Sequence, residues 1–410
     1  MSPLGRRGEG RRFVVVAASV TVTGILANTL VAPVLPDIEE AFGASPAELG
    51  AVVTLASLPG IVLAPVIGLL ADRFGRRSIL VPCLAVFGAG GVAAMAAPTL
   101  VFLLGARLVQ GAGGAGLVNL AVVILGDTFD GEIRARAIGR NAAVLTSGLA
   151  VLPLIGGTLS ALGGWRLAFA PYALAFVVAI AVARTLPHDR PTDAVMLTSQ
   201  LRAARPYLTS LSVIAMVAAG FCSFVIIFGL GLTALPLHLD REFGLGAAGR
   251  GLVLGLPALA SVVVSLRMGR LTARFGTWPL VIIGFVVFAV ALFSVATVPV
   301  FGLVLVAVVL FGVGEGLTFV PLQTYATEIA PAAHRGIVVA VLVAGARGGQ
   351  STGPISTGSL IGATNTDAAF FVGSGFAASV ALALGGSRAR ARNRVPRPRS
   401  GESGGLASNA

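Results

Sequence analysis

The sequence predicts an all-α polytopic membrane protein whose twelve transmembrane helices form two six-helix pseudo-symmetric halves. Three observations carry that prediction. Only 11% of the 410 residues are charged while 56% are hydrophobic, at a mean hydropathy of +0.94. Soluble domains carry roughly 25% charged residues, so water cannot solvate this surface and soluble-enzyme classes are excluded. Apolar stretches long enough to span a hydrocarbon core, which takes about 20 residues each, recur along the whole chain. Finally, the first half of the sequence repeats in the second at an offset of 201 residues.

Taken in order, helices are expected near 13–36, 47–71, 78–97, 100–126, 137–162 and 165–186. Residues 1–12 form a short N-terminal segment before them. The first apolar stretch is too long for a signal-peptide core and ends in Pro36-Asp37-Ile38 instead of a small-residue cleavage site, so it reads as a retained first span. The N-terminal half covers 13–186, and a polar linker follows over 187–206. Six more helices are expected near 208–237, 246–270, 278–298, 300–326, 335–362 and 367–386, within a C-terminal half spanning 207–386. The tail, 387–410, holds six Arg among Pro, Gly and Ser and lacks the apolar content to fold.

The repeat is anchored at many points. Phe42-Gly43 meets Phe243-Gly244, Gly68 meets Gly269, and Arg73-Phe74-Gly75 meets Arg274-Phe275-Gly276. Gly111 and Gly113 meet Gly312 and Gly314, Pro153 meets Pro354, and Gly157 meets Gly358. A parallel repeat of this kind places a solute site where the two halves meet.

All 29 basic residues are Arg, and they set the orientation. With both termini and the linker in the cytoplasm, 24 Arg lie inside, and only Arg166, Arg241 and Arg250 lie outside. Arg107 and Arg347 fall within helices. Topology thus accounts for the net charge of +12 without nucleic acid, and the basic tail can rest on anionic lipid. Cys83 and Cys222 sit in apolar runs and suggest neither a disulfide nor a metal site. His188, His238 and His334 lie in separate segments, so no metal is expected, and no cofactor either.

Residues 68–77 read Gly-Leu-Leu-Ala-Asp-Arg-Phe-Gly-Arg-Arg at the junction of the second and third helices. Here the chain resembles the major facilitator superfamily, whose loop signature G-x-x-x-D-R-x-G-R-R is matched at Gly68, Asp72, Arg73, Gly75, Arg76 and Arg77. The resemblance implies the major facilitator fold and a conformational lock on the cytoplasmic face in the outward-open state. The second copy carries Ala273 where Asp72 stands, so the lock is expected to be asymmetric.

The fourth helix contains Arg107-x-x-Gln110-Gly111, which resembles a motif of proton-coupled members. Gly111, Gly113 and Gly116 also satisfy G-x-G-x-x-G, but inside an apolar helix with no βαβ unit, so a dinucleotide site is not expected. In the fifth helix Gly139, Gly148, Pro153, Gly156 and Gly157 are similar to the antiporter signature of drug exporters, with Leu152 departing from it.

Intramembrane charges are costly and mark function, which singles out Arg107, Arg347 and Glu315, the one acid deep in a helix. Burial favours the neutral form of a carboxylate, so Glu315 can take up and release a proton; a fixed pair with Arg347 is the alternative. Asp37, Glu39 and Glu40 are expected to be solvated at the outer mouth, with Asp37 the best placed to titrate. Glu315, Arg107 and Asp37 are thus the candidates for proton coupling, and Asn28, Gln110, Asn119, Arg347 and Gln350 the candidates for lining a solute cavity. No Walker A sequence is present.

Together these features predict a non-enzymatic secondary transporter in the cell membrane, a monomer with lipid, protons and a small-molecule substrate as its partners. Export of small, largely apolar compounds in exchange for protons is the first reading. Proton-coupled import of a nutrient is the alternative, and a non-transporting sensor or scaffold a remote one.

Overall fold

The computed structural model describes residues 3–187, 205–206, 208–329 and 334–393. Most of the expected linker and the tail beyond Asn393 therefore lie outside the described residues. Eleven helices have the length and hydropathy of membrane spans. In chain order we number Gly10–Phe42 as α1, Pro46–Phe74 as α2, Arg76–Met95 as α3, Leu100–Thr128 as α4, Gly131–Gly163 as α5 and Trp165–Thr185 as α6. The second half supplies α7 (Leu211–Phe243), α8 (Ala247–Ser265), α9 (Thr277–Thr297), α10 (Phe301–Glu328) and α12 (Thr366–Gly386).

Between α10 and α12 lies α11, Arg335–Ala363, a continuous helix of 29 residues that completes the twelve. Its central run Gly-Ala-Arg-Gly-Gly-Gln-Ser-Thr lowers its hydropathy below that of the other eleven. Large apolar side chains such as Val101, Leu211 and Leu382 stand more than three-quarters exposed around the bundle. That wall suits lipid and is unfavourable in water.

Local chemistry explains where helices begin and break. Ser45 caps α2 through a reciprocal box in which the Ser45 backbone N–H donates to Glu48 Oε2 at 2.8 Å. Pro33 and Pro36 cannot donate helix hydrogen bonds, and α1 breaks at a 3₁₀ turn over Ala32–Val34 before resuming to Phe42. Its counterpart α7 is irregular at the same register, with a π-helical stretch over Ile226–Ala234. The turns after α2 and after the short helix Met268–Phe275 require left-handed backbone at Gly75 (φ 92°) and Gly276 (φ 77°), 201 residues apart. The first helix extends back to Pro3 and the last forward to Asn393, so both run into segments expected to flank the bundle.

The two halves meet along two seams related by the 201-residue offset. In one, α2 lies against α11: a Cβ at Gly358 would overlap the Pro46 carbonyl, one at Gly50 the Pro354 carbonyl, and Thr54 Oγ1 donates to Ser351 O at 2.8 Å. In the other, α5 lies against α8: Gly157 meets the Ala247 carbonyl, Gly251 the Pro153 carbonyl, and Gly255 the Ala150 carbonyl. Each contact in one seam maps onto the other when 201 is added to one partner and subtracted from the other.

Both seams occupy the end of the bundle away from the arginine-rich loops, which we call the sealed end. Toward the basic end the space opens, and Gly68, Gly139, Gly269 and Gly336 have nothing within 4 Å of a notional Cβ. Gly157→Val and Gly358→Val are expected to prop the sealed end apart, because a backbone carbonyl cannot yield as a side-chain tip can. Spin labels on the exposed residues Leu162 and Thr364, one in each half, are expected to report a longer distance in either variant. An unchanged distance would mean that the seams do not set the closure.

Candidate functional site

Four polar assemblies interrupt the apolar bundle. The first surrounds Arg107 on α4, which has no exposed surface. Its guanidinium donates to Val52 O on α2 at 3.0 Å, Gln110 Oε1 at 2.6 Å, and Ala27 O and Asn28 Oδ1 on α1 at 2.7 and 2.8 Å. Tyr172 on α6 donates to Leu26 O at 3.0 Å, and Asn28 Nδ2 donates to Ser57 Oγ at 2.9 Å.

No carboxylate enters this hub, and Arg107 forms no ion pair among the described residues. Nor does Arg107 reach a cavity: every acceptor is a neutral oxygen of its own half. Asn28 and Gln110, expected to line a solute cavity, are buried and tie the hub together. Gln110 Nε2 is left buried without a partner. Asn119 is exposed and takes no part in these hydrogen bonds.

The second assembly closes the sealed end. Arg250 on α8 is 1% exposed and forms ion pairs with Asp37 on α1 and Asp240 on α7. Its Nε also donates to Pro33 O at 2.9 Å, at the break in α1. Ser160 on α5 donates to the other Asp37 oxygen at 2.6 Å, and Arg241 pairs with Glu39 at 2.6 Å.

Asp37 and Glu39 are therefore only partly solvated, because arginines of the opposite half hold them. The expected exterior position of Arg241 and Arg250 gave no hint of this, since the partners lie about two hundred residues away. Close by, His238 Nδ1 lies 3.3 Å from both Asp367 Oδ1 and Thr366 Oγ1. With Glu242 it forms a group whose ligand-capable atoms fall within 4.8 Å of one another. Counting histidines alone overlooked that grouping.

The third assembly is the loop at the basic end. Asp72 pairs with Arg76, and Arg76 also reaches Asp127 at the end of α4 at 3.2 Å. Arg77 donates to Leu186 O at 3.3 Å. Arg73 lies over the ring of its neighbour Phe74, and Arg274 repeats this over Phe275. The Arg76 pairs with Asp72 and Asp127 both lie within the N-terminal half. Asp127 was not singled out from sequence.

In α5 the antiporter-like residues divide between two partners. Gly148 faces Ile25 and Gly156 faces Leu30 on α1, whereas Gly157 and the Pro153 carbonyl face α8 across the seam.

The fourth comprises the two remaining intramembrane charges. Glu315 projects from α10 one turn from Phe311 and one turn from Phe319, which reach Gly231 and Phe224 of α7. Arg347 projects from α11 toward Gly60 of α2, at the inner limit of the α2–α11 seam. Neither side chain makes a hydrogen bond or ion pair among the described residues, so the pair between them considered from sequence is not formed.

Residues 17–246 and 216–408 match the Major Facilitator Superfamily. A bacillibactin exporter of Bacillus subtilis (strain 168) is 32% identical over 154 residues, 36% of this chain and 38% of that protein. The chain thus spans well under half the length of that relative. Multidrug resistance protein 1 of the same organism is 24% identical over 327 residues, 76% of this chain and 82% of that protein.

Among solved structures, an inward-facing, unoccupied bacterial homologue of the human lysosomal transporter Spinster superposes with a TM-score of 0.72 at 18% identity, covering 95% of this chain and 96% of that one. A D-xylose-proton symporter gives 0.74 at 16% identity over 91% and 96%. At these identities the likeness is one of fold. With both halves matched in sequence and the fold reproduced from end to end, the chain belongs to the Major Facilitator Superfamily and is a multi-pass membrane protein.

Proposed function

We propose that this transporter exports small amphipathic compounds in exchange for protons by alternating access, as a monomer in the cell membrane with both termini cytoplasmic. The arginine distribution supports that orientation, which makes the present state inward-facing: the sealed end is extracellular and the open basic end cytoplasmic. The observation that carries the coupling is Glu315, an intramembrane carboxylate with no hydrogen-bond or ion-pair partner among the described residues. A carboxylate can exist with or without its proton, and proton exchange is what an antiporter must perform at each turn.

The loop at 68–77 fits the same cycle. Gly68 faces open space and Asp72 pairs within its own half, as a cytoplasmic lock would while the cytoplasmic side is open. Exporter names among the relatives favour outward transport, and the helix 5 glycines at the α1 and α8 contacts support the antiporter comparison.

Everted vesicles with an imposed pH gradient, offered a panel of aromatic and amphipathic compounds, test this reading. Uptake that collapses when the gradient is removed is expected for the native chain, and Glu315→Gln is expected to lose the gradient dependence. Unchanged gradient-driven uptake in Glu315→Gln would remove that residue's assignment. Substrate-driven alkalinisation outside intact cells would overturn export in favour of import.

A further inference from the structure

The two unpaired charges in the middle of the bundle are not equivalent. Glu315 can neutralise itself by binding a proton. Arg347 cannot: a guanidinium stays charged at any physiological pH, and Arg347 is half-buried, so its charge is only partly screened by water. Arg347 stands twelve residues into α11, about 18 Å from its start at 1.5 Å per residue, too deep to reach an interface. It points at Gly60 of the facing half, not at lipid. Arg107 shows how this protein satisfies an arginine that it keeps for structure, with four neutral acceptors. Arg347 has none among the described residues, which leaves it free to take a counter-charge from a bound solute.

The surroundings add a second requirement. Gln350 lies one turn further along α11 and is half-buried, and its amide makes no hydrogen bond among the described residues. Phe221 of α7 packs beside Gly348, the neighbour of Arg347. Phe224 stacks on Phe228 with centroids 5.7 Å apart, and Phe319 meets Phe224 edge-on at 4.7 Å. These half-buried rings run along α7 from Phe221, beside the neighbour of Arg347, to Phe224 and Phe228, and meet Phe319 of α10 one turn from Glu315. Aromatic groups stack favourably on such faces, and a carboxylate matches the two parallel donors of a guanidinium.

We infer that the transported solute is an aromatic acid, its carboxylate or equivalent anion paired with Arg347 and supported by Gln350, its ring against Phe224, Phe228 and Phe319. Only the direction of transport in this inference rests on the exporter reading. In that reading the charges balance usefully. Loaded with a monoanion and with Glu315 ionised, the interior charges of Arg107, Arg347, Glu315 and solute sum to zero. Returning empty with Glu315 protonated, the carrier holds the two arginine charges, which an inside-negative potential pulls inward at roughly 2.3 kcal/mol per charge per 100 mV.

Binding to the purified full-length protein tests the inference without relying on direction or proton coupling. The probes are naphthalene-2-carboxylate, its primary amide, the matching naphthylmethylammonium ion and chloride alone, each titrated by calorimetry. The acid is expected to bind at least tenfold more tightly than the amide, and the cation more weakly still. Arg347→Gln is expected to erase the preference for acid over amide, while Arg347→Lys, which keeps the charge without the fork, retains part of it. If the Gln variant does not fold, the graded loss in Arg347→Lys carries the test.

Equal binding of acid and amide, a preference for the cation, no binding of any aromatic probe, or an acid preference that survives in a folded Arg347 variant would each overturn the inference. So would chloride reproducing the whole Arg347-dependent signal. Acid-selective binding without gradient-driven export would leave the solute class standing and remove the exporter reading. Gradient-driven export of amines untouched by Arg347→Gln would do the reverse.

Discussion

Arg250→Met is expected to move the protein out of its present state toward one open at the sealed end. The side chain is 2% exposed and bridges Asp37 of one half and Asp240 of the other, with its Nε on the Pro33 carbonyl. Removing it leaves two carboxylates facing each other across the interface without a cation. Breaking a buried pair from one side costs about 3–5 kcal/mol. Because the Asp37 and Asp240 side chains are 28% and 41% exposed and can partly hydrate, about 2–3 kcal/mol is the appropriate scale.

The bridge exists only while the sealed end is closed, so the cost falls on this conformer and not on the fold. A shift of that size changes the ratio of the two states by roughly 30- to 150-fold. Double electron–electron resonance is the measurement, with one label pair on Leu162 and Thr364 and a second on Phe74 and Phe275 at the basic end. The first distance is expected to lengthen as the second shortens. Arg241→Met serves as the control, since the Arg241–Glu39 pair at the rim is partly exposed on both sides and such pairs contribute under about 1 kcal/mol. If Arg250→Met behaves like this control, the glycine seams hold the end shut without the ion cluster.

The sequence carried the architecture further than it carried the site. The 201-residue offset predicted that Gly157 and Gly358 are equivalent, and the structure turns that equivalence into two matching seams. What they touch could not be read, because the partners are backbone carbonyls of Ala247 and Pro46, which leave no trace in side-chain identity. The Arg250 cluster was hidden for another reason: its residues looked like ordinary charges at helix ends, and only the fold brings Asp37, Asp240 and Ser160 to one guanidinium.

Asn28 and Gln110 illustrate the opposite limit. A polar residue in an apolar helix looks the same whether it faces a cavity or a neighbouring helix, and both turned out to serve Arg107. Glu315 and Arg347 were legible because an intramembrane charge is too costly to be incidental. The sequence did not settle that they stand apart, and the proposed roles for a proton at one and an anion at the other rest on that separation.

Arg107→Lys is expected to destabilise the N-terminal half, although it conserves charge. The guanidinium fork reaches acceptors on α1, α2 and α4 at once, and an ammonium group cannot span Val52 O, Ala27 O, Asn28 Oδ1 and Gln110 Oε1 together. The variant would keep a desolvated charge with fewer partners and leave buried acceptors unmet, each costing about 1–3 kcal/mol. Part of that cost is relieved where an acceptor keeps another donor, as Ala27 O keeps the Tyr172 hydroxyl. A net loss of about 2–4 kcal/mol follows.

The two tryptophans allow the halves to be followed separately, since Trp165 lies in the first and Trp278 in the second. In a Trp278→Phe background the fluorescence melting of Trp165 is expected to fall by roughly 5 °C or more. In a Trp165→Phe background Trp278 is expected to melt nearly as before. The same measurement separates the hub from the coupling role suggested by the Arg107-x-x-Gln110-Gly111 resemblance. A coupling residue without structural duty would lose gradient-driven transport at unchanged melting temperature. That result would mean the four neutral acceptors hold Arg107 in place only for another state of the cycle.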